Sequence, residues 1–130
     1  MKQRITHPDL PSPSAGISAA VLCDGWLHVS GQGPLDMRDR SIIRGTIEEE
    51  TQRTLENIAA IISEAGGTIT DVVKCTCYLS DIANFPGFDK TYRSFFNGEV
   101  PPARTTTQAG LLNGILVEID AIARIRGTEK

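Results

Sequence analysis

The sequence is poor in aromatic side chains. Four Phe, two Tyr and one Trp make up 5% of its 130 residues. A chain of this length can bury a core, but a deep pocket walled by large side chains is hard to build from one copy. Positive charge is also scarce: Lys+Arg 13 against Asp+Glu 16 leaves a net charge of −3. No Lys/Arg run exceeds two residues, so the concentrated basic surface that releases counterions from nucleic acid is missing. No stretch approaches the roughly 20 apolar residues that span a bilayer. No apolar run follows Met1-Lys2-Gln3-Arg4, so the start does not read as a secretory signal. The cysteines are Cys23, Cys75 and Cys77. An odd count without an export signal points to reduced thiols and a cytoplasmic location. Only His7 and His28 could serve as a histidine base, and neither sits in a nucleophile arrangement. There is no P-loop and no GxGxxG.

What is present reads as one domain over residues 1–130. Residues 7–16 hold three prolines and read as an irregular arm. Ile17 to Cys23 and Trp26 to Gln32 are β-prone, and Asp24-Gly25 between them is a hairpin signal. In the second run Trp26, His28 and Ser30 share one face, with Leu27 and Val29 on the other. Thr46-Ile47-Glu48-Glu49 is a capping box, in which the Thr hydroxyl and the Glu carboxylate each satisfy the other's backbone amide. Ile47, Leu55, Ile58, Ile62 and Ala65 then follow helical spacing, and Gly66-Gly67 ends the helix. Val72 to Leu79 is a strand. Phe85, Phe88, Tyr92, Phe95 and Phe96 recur at helical steps, so most of the aromatics serve to pack a second helix. Pro101-Pro102 forces an extended entry to a strand over Arg104 to Leu111. Leu116 to Ile125 alternates, with Val117, Ile119, Ala121 and Ala123 on one face. The order β-β-α-β-α-β-β indicates an α+β layer of helices over one face of a sheet.

Few residues carry chemistry. Cys75 and Cys77 point to one face of their strand and lack the further ligands that zinc needs, so they read as small hydrophobes. Glu118 and Asp120 point away from the Val/Ile face. Their face is either solvated or part of a cavity in which a carboxylate could activate a water. Arg104 is either a surface ion-pair partner or a planar fork that grips a substrate carboxylate. Spacing alone leaves both pairs of readings open.

The chain resembles the Rid family of reactive-intermediate imine deaminases, also called YjgF-like or L-PSP. The segments that carry the resemblance include Val29-Ser30-Gly31-Gln32-Gly33-Pro34, Thr54-Leu55-Glu56-Asn57-Ile58, Ala65-Gly66-Gly67 and Asp71-Val72-Val73-Lys74. Further on come Thr91-Tyr92-Arg93-Ser94-Phe95-Phe96, Pro101-Pro102-Ala103-Arg104 and Val117-Glu118-Ile119-Asp120-Ala121-Ile122-Ala123. The resemblance implies a chorismate-mutase-like fold: a six-stranded, mostly antiparallel sheet with two helices on one face. It implies a homotrimer with a central barrel and clefts between subunits. It implies hydrolysis of 2-imino or enamine acids to 2-oxo acids and ammonia, with no metal or organic cofactor. Carried onto this chain, Arg104 would bind the substrate carboxylate and Glu118 would position water and exchange protons. Ser30, Gly31, Thr106 and Ile17 would line the pocket.

The chain departs from the family pattern at three places. Ile17 stands where deaminating relatives commonly have Tyr, Thr106 where many have Cys, and Asp89 where the second helix commonly has Asn. A substrate-contacting hydroxyl is thereby lost. A non-catalytic module that binds small carboxylates or a partner enzyme is therefore the alternative function. Ribonuclease or translation inhibitor, an older family label, is opposed by the acidic balance and the lack of a histidine pair.

Overall fold

The computed structural model describes residues 1–12 and 14–126. Eight strands and two α-helices follow in the order β1 (Lys2–Ile5), β2 (Ala20–Cys23), β3 (Trp26–Gln32), β4 (Leu35–Asp36), β5 (Ser41–Ile42), α1 (Ile47–Glu64), β6 (Val72–Leu79), α2 (Phe85–Phe95), β7 (Ala103–Gln108) and β8 (Val117–Arg124). Six strands form one sheet in the order β1-β2-β3-β8-β6-β7. Every pairing in it is antiparallel except β6 with β7. Parallel neighbours need a crossover, and α2 supplies it. Both helices pack on one face, as the resemblance implied.

Local chemistry explains most elements. Asp24 and Gly25 both have positive φ, 55° and 81°, as a two-residue hairpin turn requires. At the start of α1 the Thr46 hydroxyl accepts the Glu49 N–H at 3.1 Å, and the Thr46 N–H donates to Glu49 Oε1 at 2.8 Å. The helix buries Leu55, Ile58, Ile61 and Ile62 completely. They meet Leu27, Val29, Cys75, Cys77, Val117, Ile119, Ala121 and Ala123 on the sheet and Phe88, Tyr92 and Phe96 of α2. Truncating one such side chain to Ala costs about 2–5 kcal/mol.

Three features go beyond the sequence reading. The sixth strand is β1, whose pairing runs from Lys2↔Cys23 to Ile5↔Ala20. Three of its four residues are exposed, so the ladder and not a hydrophobic pattern holds it. The short hairpin β4–β5 was not anticipated either. Finally, the strand expected from Arg104 to Leu111 ends at Gln108. Among the described residues no helix is long and apolar enough to cross a membrane.

Two buried side chains fix the entry of β8 and the exit of β3. Glu50 is 2% exposed. Its carboxylate accepts the Leu116 N–H at 2.8 Å and the Gly45 N–H at 3.3 Å, tying the start of α1 to the entry of β8. Asn57 donates to the Gly33 and Leu35 carbonyls at 3.1 and 2.9 Å and holds the turn that leaves β3.

Candidate functional site

Arg104 lies on the edge strand β7, in register with buried Cys75. Paired residues share a face, so its side chain turns toward α2. There Nη1 donates to Asp89 Oδ1 at 2.8 Å, while Arg93 Nε donates to Asp89 Oδ2 at 2.7 Å. The guanidinium carbon sits 5.4, 5.5 and 4.7 Å from the ring centres of Phe85, Phe88 and Tyr92, within cation–π range. Burial pushes the Asp89 carboxyl up, but hydrogen bonds from Arg104 and Arg93 outweigh it and hold the group below its usual range. Thr106 follows on the same face, in register with Cys77. Its hydroxyl is buried without a partner, and so is that of Tyr92, which lies beside the Cys75 thiol without good hydrogen-bond geometry. Burial lifts the Cys75 thiol to about 11 and Cys77 higher still. Both are free, fully buried thiols, as expected of small hydrophobes.

Glu118 belongs to the other face. It pairs with Tyr78, and its neighbours Val117 and Ile119 point into the core. Half-burial first, and the nearby Asp120 charge second, raise the Glu118 carboxyl above its ordinary value. Asp120 in turn accepts a hydrogen bond from the Tyr78 hydroxyl at 3.3 Å. The Glu118 carboxylate rests against Gly31, where a Cβ would collide with Oε2. A β-bulge makes this approach possible: the β3–β8 register shifts between Val29 and Gln32. Within the bulge the Ser30 N–H donates to Ala19 O at 2.9 Å, and its hydroxyl donates to Ser18 O at 2.6 Å. These bonds fasten β3 to the chain directly after Ile17, which is 58% exposed. Ile17 also lines a cleft of about 350 Å³ with Lys2, Arg4, Ser18 and Val21.

The residues singled out from the sequence thus fall into two groups. Ile17, Ser30, Gly31 and Glu118 belong to the β3–β8 side, and Arg104 and Thr106 to the β7–α2 side. One chain does not bring the guanidinium and the Glu118 carboxylate onto the same face. Two anchoring residues were missed. In the sequence Asp89 stands out only as a departure, and Arg93 only within a matching segment. Their i, i+4 spacing on a helix was the available signal.

His28 is exposed on the sheet. His7 is 6% exposed, its Nδ1 accepts the Asp9 N–H at 3.1 Å, and burial lowers its pKa. Among the described residues no three His, Cys, Asp or Glu side chains cluster so as to hold a metal ion.

Comparison with known proteins concerns the chain and its fold. Residues 8–125 match the family described as Endoribonuclease L-PSP. A RutC family protein from Pyrococcus abyssi is 38% identical, over 94% of this chain and 96% of its own. The 2-iminobutanoate/2-iminopropanoate deaminase of Rattus norvegicus is 33% identical, over 95% of this chain and 90% of its own. A crystal structure of E. coli TdcF with bound serine superimposes with a TM-score of 0.85 at 26% identity, covering 94% of this chain and 98% of that one.

Proposed function

Because the chain belongs to the L-PSP (Rid) family, we propose that it hydrolyses reactive 2-imino or enamine acids to 2-oxo acids and ammonia, at a cleft shared between subunits. The observation that carries this reading is the division of the site. A cation held ready for a carboxylate lies on one face, and a carboxylate of raised pKa on the other. One substrate needs both, so a second copy must complete the site.

The chemistry follows from the groups. Arg104 grips the substrate carboxylate with the N–H groups that Asp89 leaves free. The imine carbon is electrophilic and fixed in orientation. The imine reacts protonated on nitrogen, and Glu118 takes a proton from water as the oxygen attacks that carbon, giving a neutral carbinolamine. It then returns that proton to nitrogen and takes up the hydroxyl proton as the C–N bond breaks, so that ammonia leaves and the carbinolamine becomes the 2-oxo acid. A carboxyl raised toward neutrality suits this exchange better than an ordinary one. Serine bound to TdcF and the deaminase name of the rat relative support a small carboxylate-bearing substrate.

The test is ammonia release while an amino-acid oxidase generates a 2-imino acid in situ. Wild type should exceed buffer, and Arg104→Ala and Glu118→Ala should not. Subunits of the two variants, unfolded together and refolded, should recover about a quarter of the sites by random assortment, since an intact pair then meets across some boundaries. No recovery in assemblies that form normally would sink the shared site.

One feature of the resemblance favours a second reading, a carboxylate-binding module without turnover. Residue 17 is Ile, where the resemblance leads one to expect a Tyr hydroxyl in a deaminase. Calorimetry would then show 2-oxo acid binding that requires Arg104, with no ammonia from any imine. A ribonuclease reading has less support, given the net charge of −3 and a His7 that is buried and bonded within the fold.

A further inference from the structure

We infer that Asp89 sets the charge of the carboxylate site, so that the site selects substrates with one carboxylate over those with two. The inference rests on the carboxylate-binding reading of Arg104 and goes beyond it to the substrate class.

The geometry is a linear array, Arg93–Asp89–Arg104. Each oxygen of the Asp89 carboxylate is bonded to a different guanidinium, at 2.7 and 2.8 Å. Asp89 and Arg104 side chains are 18% and 21% exposed, whereas Arg93 is 76% exposed. Three rings pack around the Arg104 guanidinium, so little solvent screens the inner pair. The array holds two cations and one anion, a formal charge of +1. One substrate carboxylate neutralises it. A second carboxylate would enter with no cation of the array left to balance it, near the Asp89 charge.

Asp89 also holds the fork. Nη1 is committed to Asp89 and three rings pack against the group, which leaves the other N–H groups for a ligand. Asp89 is thus a positioning and specificity residue; it need not touch substrate.

Substitutions that change the array charge in both directions test this. Asp89→Asn is nearly isosteric and raises the charge to +2. Arg93→Gln lowers it to zero at an exposed position. Binding of 2-oxobutanoate and of 2-oxoglutarate is measured by calorimetry for the wild-type assembly and each variant, at low and at physiological salt. In Asp89→Asn the affinity ratio of dicarboxylate to monocarboxylate should rise roughly tenfold, the order expected of one charge in a partly screened site. In Arg93→Gln it should fall about twofold, since solvent screens that cation, and salt should erase the difference. A merely structural Asp89 would weaken both ligands equally and leave the ratio alone. An unchanged ratio in both folded variants overturns the inference. If Asp89→Asn does not fold, a fall in the ratio for Arg93→Gln still supports it, and no change overturns it. Arg104→Ala separates the two levels: if it binds both oxo acids as wild type does, the carboxylate reading itself is wrong. If wild type binds neither, both fail.

Discussion

The two faces of the sheet treat charge in opposite ways. On the helix face Arg104 has its counter-ion and its aromatic packing in place before any ligand arrives. On the open face Glu118 has a second carboxylate for a neighbour and a glycine beneath it. The first arrangement fixes a cation in orientation. The second makes an anion costly, so that it takes up a proton readily. A binder must hold its ligand in one pose, whereas a proton shuttle must change state. On the proposed function, the division of labour is a division between faces.

The sharpest way to break the comparison is to remove either member. Two charge-assisted hydrogen bonds to a carboxylate are each worth about 1.5–3 kcal/mol. Arg104→Ala should therefore cost about two to four orders of magnitude in kcat/KM, mostly as KM. Glu118→Gln should instead spare 2-oxo acid binding and abolish turnover. If both variants lose binding alone, the faces do not differ in role.

Gly31→Ala is a milder probe of the open face. The added Cβ would force the Glu118 carboxyl to move. The displaced atoms are the end of a flexible side chain, so stability should change little. The position of the base should change, and misplacement on this scale costs up to about a hundredfold in rate. Thermal melting and kcat measured on the same sample would show whether the two separate.

Asp120→Asn sharpens the electrostatic half. Burial is the larger cause of the raised Glu118 pKa, and the Asp120 charge adds to it. Removing that charge should move the acid limb of the pH–rate profile to lower pH without abolishing it. The stability sign follows from linkage. Folded Glu118 holds its proton more tightly than unfolded Glu118, so its carboxylate costs stability above the folded pKa. That cost shrinks as pH falls from the folded toward the unfolded value and is gone below the unfolded one. The gain on acidification should be smaller in Asp120→Asn. A profile that does not move would remove Glu118 as the titrating base.

Much of this was legible in the residues and some was not. The capping box at Thr46 and Glu49, the aromatic period of α2 and the alternation over Val117–Ala123 each declare an element locally. Strand β1 does not, because Lys2-Gln3-Arg4 carries no apolar face. Glu50 looks like its neighbours at a helix start, and only the fold shows it bonded to Leu116 N–H. The bulge at Ser30 and Gly31 depends on the register of β8, which lies far off in the chain. The family resemblance pointed to Arg104 and Glu118. It did not show that they occupy opposite faces, because facing depends on how β7 and β8 each pair with β6.

The smallest expected effect is at Tyr92, and it probes what the helix face needs. The ring lies 4.7 Å from the Arg104 guanidinium and is 4% exposed. Its hydroxyl is buried without a hydrogen-bond partner, and burial holds its proton far above the usual range. A buried polar group that makes no bond costs stability, so its removal should not hurt. Tyr92→Phe keeps the ring and the cation–π contact. It should leave stability unchanged or raise it by up to about 1 kcal/mol, read as a rise of a few degrees in Tm. Binding of 2-oxo acids should stay within about twofold, because a ring and not a hydroxyl holds the guanidinium. A clear loss of stability would instead mean that the hydroxyl is bonded, with the Cys75 thiol beside it as the nearest candidate. The helix face would then hold Arg104 through a polar network as well as through packing and its ion pair.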